Sequence, residues 1–473
     1  MMKKMLLLAV LMLFGFGLTA CDDTTTQPIT TRDPSATSQS TAPSISNESS
    51  HSTTVTYPGI TTITFSWWGT TDRNVATYQA IELFEAKYPQ YKVTGDQSTW
   101  DGYQTTLYNR LERGREADIF QVNYNWLYSM FGEYYFMDLN ELEIDFSHYP
   151  EHEHDPLTID SKVLGLSLSE TGYIFYMNKA VYEDAGITEM PTTWDELIAA
   201  GQTIGSASGG SKYAIGRLDA QQVSILMFSY LSQKYGKNLI SSDNKLNFTR
   251  TELEEGFAFI NTLRSNNVLI PNNANDTHTN GPTNPNWVIY QNYGGILQWN
   301  TAVSEYENEL PDTSNLVTVG MFQQNEGEQL GMYKKVSMAL AVSKRVENDP
   351  AKQQAIKTFI EFITTDPEAV RILGVDRGVP SHDTAANILL ETTTFDFTAT
   401  REWEGHLIVQ SLFDNQVTEE IDLYIHPYYE HDVFRRIYEM PIEKFLFNQY
   451  TAAQAINEIL SKFDSTLRQV MGG

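Results

Sequence analysis

The stretch Ile63-Thr64-Phe65-Ser66-Trp67-Trp68-Gly69-Thr70, "ITFSWWGT", decides how the rest of the chain is read. Its alternation puts Ile63, Phe65 and Trp67 on one side of a strand, so Trp68 cannot share their packed face. Asp72 then opens a helical pattern with apolar residues at Val75, Ala76, Ala80, Leu83 and Phe84, ending before Pro89. The same order recurs: "YKVTG" (Tyr91 to Gly95) reads as a second strand, Tyr103, Leu107 and Leu111 form a helical stripe closed by Gly114, and "ADIFQV" (Ala117 to Val122) reads as a third strand. Strand and helix in alternation imply a parallel α/β sheet whose ligand sites lie at the carboxyl ends of the strands. Trp68 stands at such an end.

Farther along, "GYIFYMN" is strand-like, and Thr193-Trp194-Asp195-Glu196 is a capping box opening a second-lobe helix. Gly205 to Gly210 reads as a loop, and the last third is mostly helical, with "PIEKFLFNQY" and "AAQAINEILSKFDSTL" both amphipathic. At 473 residues the chain exceeds one ordinary core, so two lobes are expected. A formal net charge of -28 repels phosphate backbones and anionic surfaces, which argues against nucleic acid and favours neutral or cationic ligands. A single cysteine allows no internal disulfide.

The beginning of the chain gives that cysteine a purpose. Lys3 and Lys4 precede an apolar run from Met5 to Leu18, too short to span a bilayer and flanked like an export signal. Leu18-Thr19-Ala20-Cys21 resembles the bacterial lipobox, which implies a signal peptide over residues 1–20 and lipid attachment at Cys21. Acyl chains contribute about 0.8 kcal/mol per buried methylene, enough for a stable anchor at the extracellular face of the membrane. From Asp22 to Pro58 the sequence is Ser, Thr, Pro, Gln and Asp with almost no large apolar residue, so it reads as a disordered tether spanning roughly 30–40 Å.

Taken in order, the lipobox, "ITFSWWG", "AIELFEAKYPQYKV", "WDGYQTTLYNRLERGREADIFQV", "YIFYMNKAVYEDAGI", "MPTTWDELIAA", "YGGILQW" and "AAQAINEIL" resemble the extracellular solute-binding proteins, family 1, the sugar-binding lipoproteins of bacterial ABC importers. The resemblance covers nearly all of the chain beyond the tether. It implies a two-lobe, type II periplasmic-binding-protein-like α/β fold, each lobe a mainly parallel sheet flanked by helices, with extra C-terminal helices. The first lobe would take residues 59–167 with 333–378, the second 168–332 with 379–473, and hinge closure would trap the ligand. It also implies delivery to the transmembrane permease subunits, a monomer, no cofactor and no catalysis.

Sugars present apolar C–H faces and a ring of hydroxyls, so their sites need aromatic plates and planar polar groups. Trp68 and Trp100, each following a strand, are candidate plates against the ordinary reading of packing residues; Trp194, just after a helix cap, reads as packing. "QVNYNW" continued as a strand would put Gln121, Asn123 and Asn125 on one side and Tyr124 and Trp126 on the other, a row of amides that is costly unless it bonds something. The resemblance adds Asp72 and Arg73 as a polar pair reaching ligand hydroxyls and Asp118 as a ligand-facing carboxylate. It adds Glu170 and Tyr173 at the first hinge crossing, Trp299 as a stacking residue of the second lobe, and Arg377 near the last crossing. Each has a structural alternative in a cap, a turn or an ion pair.

Two other classes compete. A secreted glycosidase would share the plates and add two spaced carboxylates, but with 60 acidic residues no sequence pair is diagnostic, and no G-x-S-x-G, phosphate loop or H-E-x-x-H is present. A metal-binding lipoprotein is suggested by "FSHYPEHEHD", where His148, His152, His154 and Asp155 cluster; a solvated polar loop is the competing reading.

Overall fold

The computed structural model describes residues 59–472 apart from 131–133, 273–280, 326–332 and 415–424. The expected signal peptide, Cys21 and the tether lie outside the described residues.

The first layer forms as the alternation predicts: β1 (Thr61–Trp68), α1 (Thr71–Lys87), β2 (Tyr91–Ser98), α2 (Tyr103–Glu112) and β3 (Ile119–Val122). β1 lies parallel to both β2 and β3, with Phe65 facing Gly95 on one side and Ile119 on the other. Trp67 is fully buried with Ile63, Phe65 and Phe84 on one face of this sheet, and Trp68 with Tyr103, Leu107 and Leu111 on the other. Gly95 is required by that packing: a Cβ there would lie 2.9 Å from the Trp67 ring and 2.7 Å from Tyr78.

After β3 the chain turns at once into α3 (Tyr124–Met130), so the strand ends at Val122 and the expected row of amides does not continue. α4 (Glu151–His154) and the small hairpin β4 (Thr158–Ile159) and β5 (Lys162–Val163) lead to β6 (Leu166–Asn178), which is buried along nearly its whole length. Its first half pairs antiparallel with β9 (Lys334–Val342), which in turn pairs antiparallel with β3. Its second half pairs with β7 (Gly295–Trp299) and β8 (Leu316–Gly320), also antiparallel. The sheet is therefore mixed, because β6 runs outward into the second lobe and β9 returns. Residues 376–381 make a third pass beside β6, with a Ser169–Pro380 bridge and Gly378 in the left-handed region at φ +91°.

The second lobe packs α5 (Lys179–Glu183), α6 (Trp194–Ala207), α7 (Ala220–Tyr235), α8 (Arg250–Ser265), α9 (Pro285–Val288) and α10 (Val303–Glu307) around β6–β8. α6 starts with the expected box, Thr193 and Glu196 bonding reciprocally, and buries Trp194. It runs on to Ala207, past the loop expected from Gly205, because that glycine lets the Asn267 side chain approach where a Cβ would sit 2.6 Å away. α11 (Pro350–Thr365), α12 (Pro367–Leu373) and α13 (Asp383–Leu390) follow β9, with α11 and part of α12 covering the Trp67 face of the first sheet. α14 (Arg401–Asp414), α15 (Asp432–Leu446) and α16 (Ala452–Val470) close the chain. α15 begins nine residues before Pro441, which sits buried inside it. Among the described residues no helix is long and apolar enough to cross a membrane.

Candidate functional site

The carboxyl ends of β1–β3 face the second lobe. The Tyr124 hydroxyl donates to the carbonyl of Ile425 at 2.6 Å, the Gln104 amide to Asp432 at 3.2 Å, and the Tyr128 ring stands edge-on to Tyr428 at 5.8 Å. Glu305, on α10, and Arg73, on α1, also influence one another across the gap. Glu305 is exposed, yet partial desolvation by the surrounding protein raises its pKa and the Arg73 charge opposes that rise.

On the first-lobe wall four aromatic rings stack. Trp100 is 52% exposed and lies almost parallel to Trp126 at 5.7 Å; Trp68, only 7% exposed, supports Trp100 edge-on at 5.2 Å and touches Tyr103 and Trp126. The expected plate at Trp68 is thus a buttress, covered because α2 and α3 close over the β1 terminus, and Trp100 presents the open face. Tyr103 locks the base by sharing its one hydroxyl hydrogen between the carbonyls of Gln121, at 3.0 Å, and Ser66, at 3.2 Å.

The floor is formed by the hinge strands. Tyr173 and Trp299 are cross-strand partners with ring centroids 3.8 Å apart, and the Lys335 ammonium stands 4.5 Å over the Trp299 ring. Lys335 is ion-paired with Glu430, which also accepts from the Gln221 amide at 3.1 Å. Thr171 and the backbone of Gly172 both donate to Asn300 Oδ1, at 2.9 and 3.0 Å, fixing the turn after β7. Gly378 lets the third pass slide beneath this turn, since a Cβ would meet Thr301 at 2.5 Å.

Other expected site residues take structural places. Arg73 is buried: its Nε donates to the Asp376 carbonyl at 3.0 Å and its Nη1 to that of Trp68 at 3.2 Å, so it ties α1 to the third pass. Burial lowers its pKa. Asp72 is exposed in the first turn of α1. Arg377 turns into the first lobe, donating to Gln121 at 3.1 Å and Thr77 at 2.8 Å, with its pKa pushed down to about 9 by burial and by Arg73. Gln121, on β3, is held between Arg377 and the Met338 sulfur. Asn123 is half-buried just beyond β3. Asp118 lies at the amino end of β3, where it accepts from Thr64 and pairs with Lys352 at 2.8 Å; four strand residues, about 13 Å, separate it from the Trp68 end. Glu170 is buried on β6 within 3.2 Å of the Lys334 ammonium.

The histidine-rich segment does not converge. His148 bonds Asp383 at 2.9 Å, His152 faces Glu170 at 3.6 Å, and His154 packs against Phe146. Among the described residues no group of three His, Cys, Asp or Glu is placed to hold a metal ion. Sequence reasoning missed Lys335, Glu430 and Glu305. Only Lys335 left a signal, as one of two consecutive lysines opening an apolar strand.

This fold, two lobes joined by the shared strands β6 and β9, is that of the two-lobe periplasmic solute-binding proteins. A family profile described as bacterial extracellular solute-binding protein matches residues 67–370, and the chain belongs to that family. Among solved structures it is similar to a periplasmic solute-binding protein from Pectobacterium atrosepticum, at 24% identity, 87% of this chain, 100% of that chain and TM-score 0.78. It is also similar to a periplasmic oligogalacturonide-binding protein from Yersinia enterocolitica, solved with saturated digalacturonic acid, at 25% identity, 87% and 99% coverage and TM-score 0.76. A binding protein of Brucella abortus is 26% identical over 164 residues, 34% of this chain and 40% of that protein, so the chain spans less than half the length of the curated relatives it matches.

Proposed function

We propose that this solute-binding protein is a lipid-anchored receptor for a neutral oligosaccharide, held at the extracellular face of the membrane through Cys21. It closes two lobes, 59–167 with 333–378 and 168–332 with 379–473, around the sugar and delivers it to ABC permease subunits as a monomer, without chemistry of its own. The observation that carries the reading is the exposed Trp100 plate, backed by Trp126 and Trp68, with Trp299 on the hinge floor. Two separated aromatic plates suit successive sugar rings better than a single small solute.

The Yersinia relative supports an oligosaccharide as the ligand class. Galacturonides are anionic, however, and here the cleft carries Glu305 and Asp376, while Lys335 is already neutralised by Glu430 and Arg73 is spent on backbone carbonyls. That balance favours an uncharged glycan. A thermal-shift screen over neutral and uronate oligosaccharides tests it: ligand bound to the native state raises the melting temperature by mass action. Stabilisation by neutral glycans is expected. A response confined to uronates would overturn the neutral class, and no response to any carbohydrate would overturn the reading.

A further inference from the structure

The three passes between the lobes meet at a buried polar cluster that the cleft does not use. Glu153, on α4, is 3% exposed. Its carboxylate oxygen Oε2 lies 2.7 Å from the Ser167 hydroxyl on β6 and also takes the Ser381 hydroxyl on the third pass. Those two hydroxyls are themselves 2.7 Å apart. Three oxygens in a closed triangle need three hydrogens to satisfy all three contacts, and two serines bring only two. A proton on Glu153 supplies the third.

The surrounding charges agree. Glu170, on β6, pairs with Lys334, on β9, at 3.2 Å, and both side chains are wholly buried. That pair is already neutral, so an ionised Glu153 adds an uncompensated negative charge; burial and the Glu170 charge push its pKa up to about 7, against the pull of the serine hydroxyls and Lys334. His152, beside it on α4, faces Glu170, with burial holding its pKa down. The Tyr149 phenol is held neutral by burial. His382, next to Ser381, faces His148 and Tyr149. From the second lobe α14 contributes the Gln410 amide, 2.9 Å from Glu170, and His406, pushed down to about 4 by burial and by Lys334 and so uncharged at neutral pH.

We propose that Glu153 holds a proton while the lobes are together and releases it when they part, so that the interlobe hinge is a proton-linked switch. Rotation about the three passes shifts Ser381 against Ser167 and draws Gln410 away from Glu170, which admits water and returns Glu153 toward an ordinary carboxylate. The sign follows from linkage. The group is raised in the closed form, so its contribution to closure is complete below the open-form pKa and is lost as pH rises through the closed-form value. Mild acid favours closure.

The test uses no sugar, so it stands apart from the ligand reading. Spin labels go on Gln79→Cys in α1 and Ser461→Cys in α16, both exposed, in a Cys21→Ser background, and interlobe distances are measured from pH 5.5 to 8.5. The short-distance population should grow as pH falls, with a midpoint near 7 and a closed-to-open ratio about tenfold higher at pH 6 than at pH 8. Glu153→Gln, which keeps the shape and supplies its own hydrogen, should remain in the short-distance state throughout. Ser381→Ala breaks the triangle and should shift the midpoint away from the parent's. A distance that does not change with pH, a Glu153→Gln response equal to the parent's, or an unmoved midpoint in Ser381→Ala if the glutamine variant does not fold, would each overturn the switch.

Discussion

The aromatic wall of the first lobe and the charged hinge are built on opposite principles. In the wall, Trp68, Trp126 and Tyr103 bury apolar area over a sheet whose opposite face is packed by Trp67, and the exposed face of Trp100 follows from good packing beneath it. Preorganisation costs little there, because the groups that hold the plate also stabilise the lobe. In the hinge, Glu170 and Lys334 are both removed from water, and a buried pair of this kind is often no better for stability than apolar residues of the same size. The comparison teaches where to look for function: an exposed ring on a stable base, and a buried charge where stability alone does not ask for one.

Four substitutions or titrations put that contrast at risk. Trp67→Ala empties a site walled by Phe65 and Tyr78 and strands the Asn74 carbonyl that its indole bonds, so unfolding free energy should drop by about 3–5 kcal/mol in urea titration. A loss below about 1 kcal/mol would show that the sheet carrying the wall is not the apolar scaffold described. Lys334→Met leaves Glu170 buried without its ammonium and should cost about 3–4 kcal/mol. If the methionine variant is as stable as the parent, the hinge pair carries little energetic weight and the contrast collapses.

His406 sharpens the hinge side through pH. Its folded pKa is depressed to about 4, so its neutral form contributes stability above pH 6.5 that is lost as pH falls toward 4, up to roughly 3 kcal/mol. His406→Asn should flatten that part of the melting-temperature profile; an unchanged acid limb would assign it to other groups. The smallest effect on folding belongs to Trp100→Ala, expected within about 0.5 kcal/mol of the parent because half the ring is already in water. Its effect on glycan affinity should be about ten- to a hundredfold, read by calorimetry with a sugar that stabilises the parent. Equal losses in folding and binding would make Trp100 a packing residue.

Much of the fold was legible where its signals are periodic or come as a fixed motif. Ile63, Phe65 and Trp67 alternate, Tyr103, Leu107 and Leu111 fall on one stripe, and the Thr193 box marks its helix to the residue. What failed did so where local pattern competes with tertiary context. The strand reading of "QVNYNW" broke at Tyr124 because period two and a short helix are indistinguishable over a few mixed residues. Trp68 was correctly separated from Trp67, but the sequence says nothing of α2 and α3 folding over it. Arg73, Arg377 and Asp118 have side chains that reach several ångströms, and their partners, the Asp376 carbonyl, Thr77 and Lys352, lie more than 230 residues away. Glu305 and Glu430 are two among 60 acids, and only the fold brings them to the cleft.

β6 belongs to both sheets: its first half pairs with β9 and its second with β7 and β8. A strand shared in this way makes the two lobes poor candidates for separate expression, since any cut between them divides a ladder and leaves raw edges on both fragments. The hinge is thus also a weld. Unfolding of one lobe should pull the common strand from the other, and the described part of the chain should melt as one cooperative body.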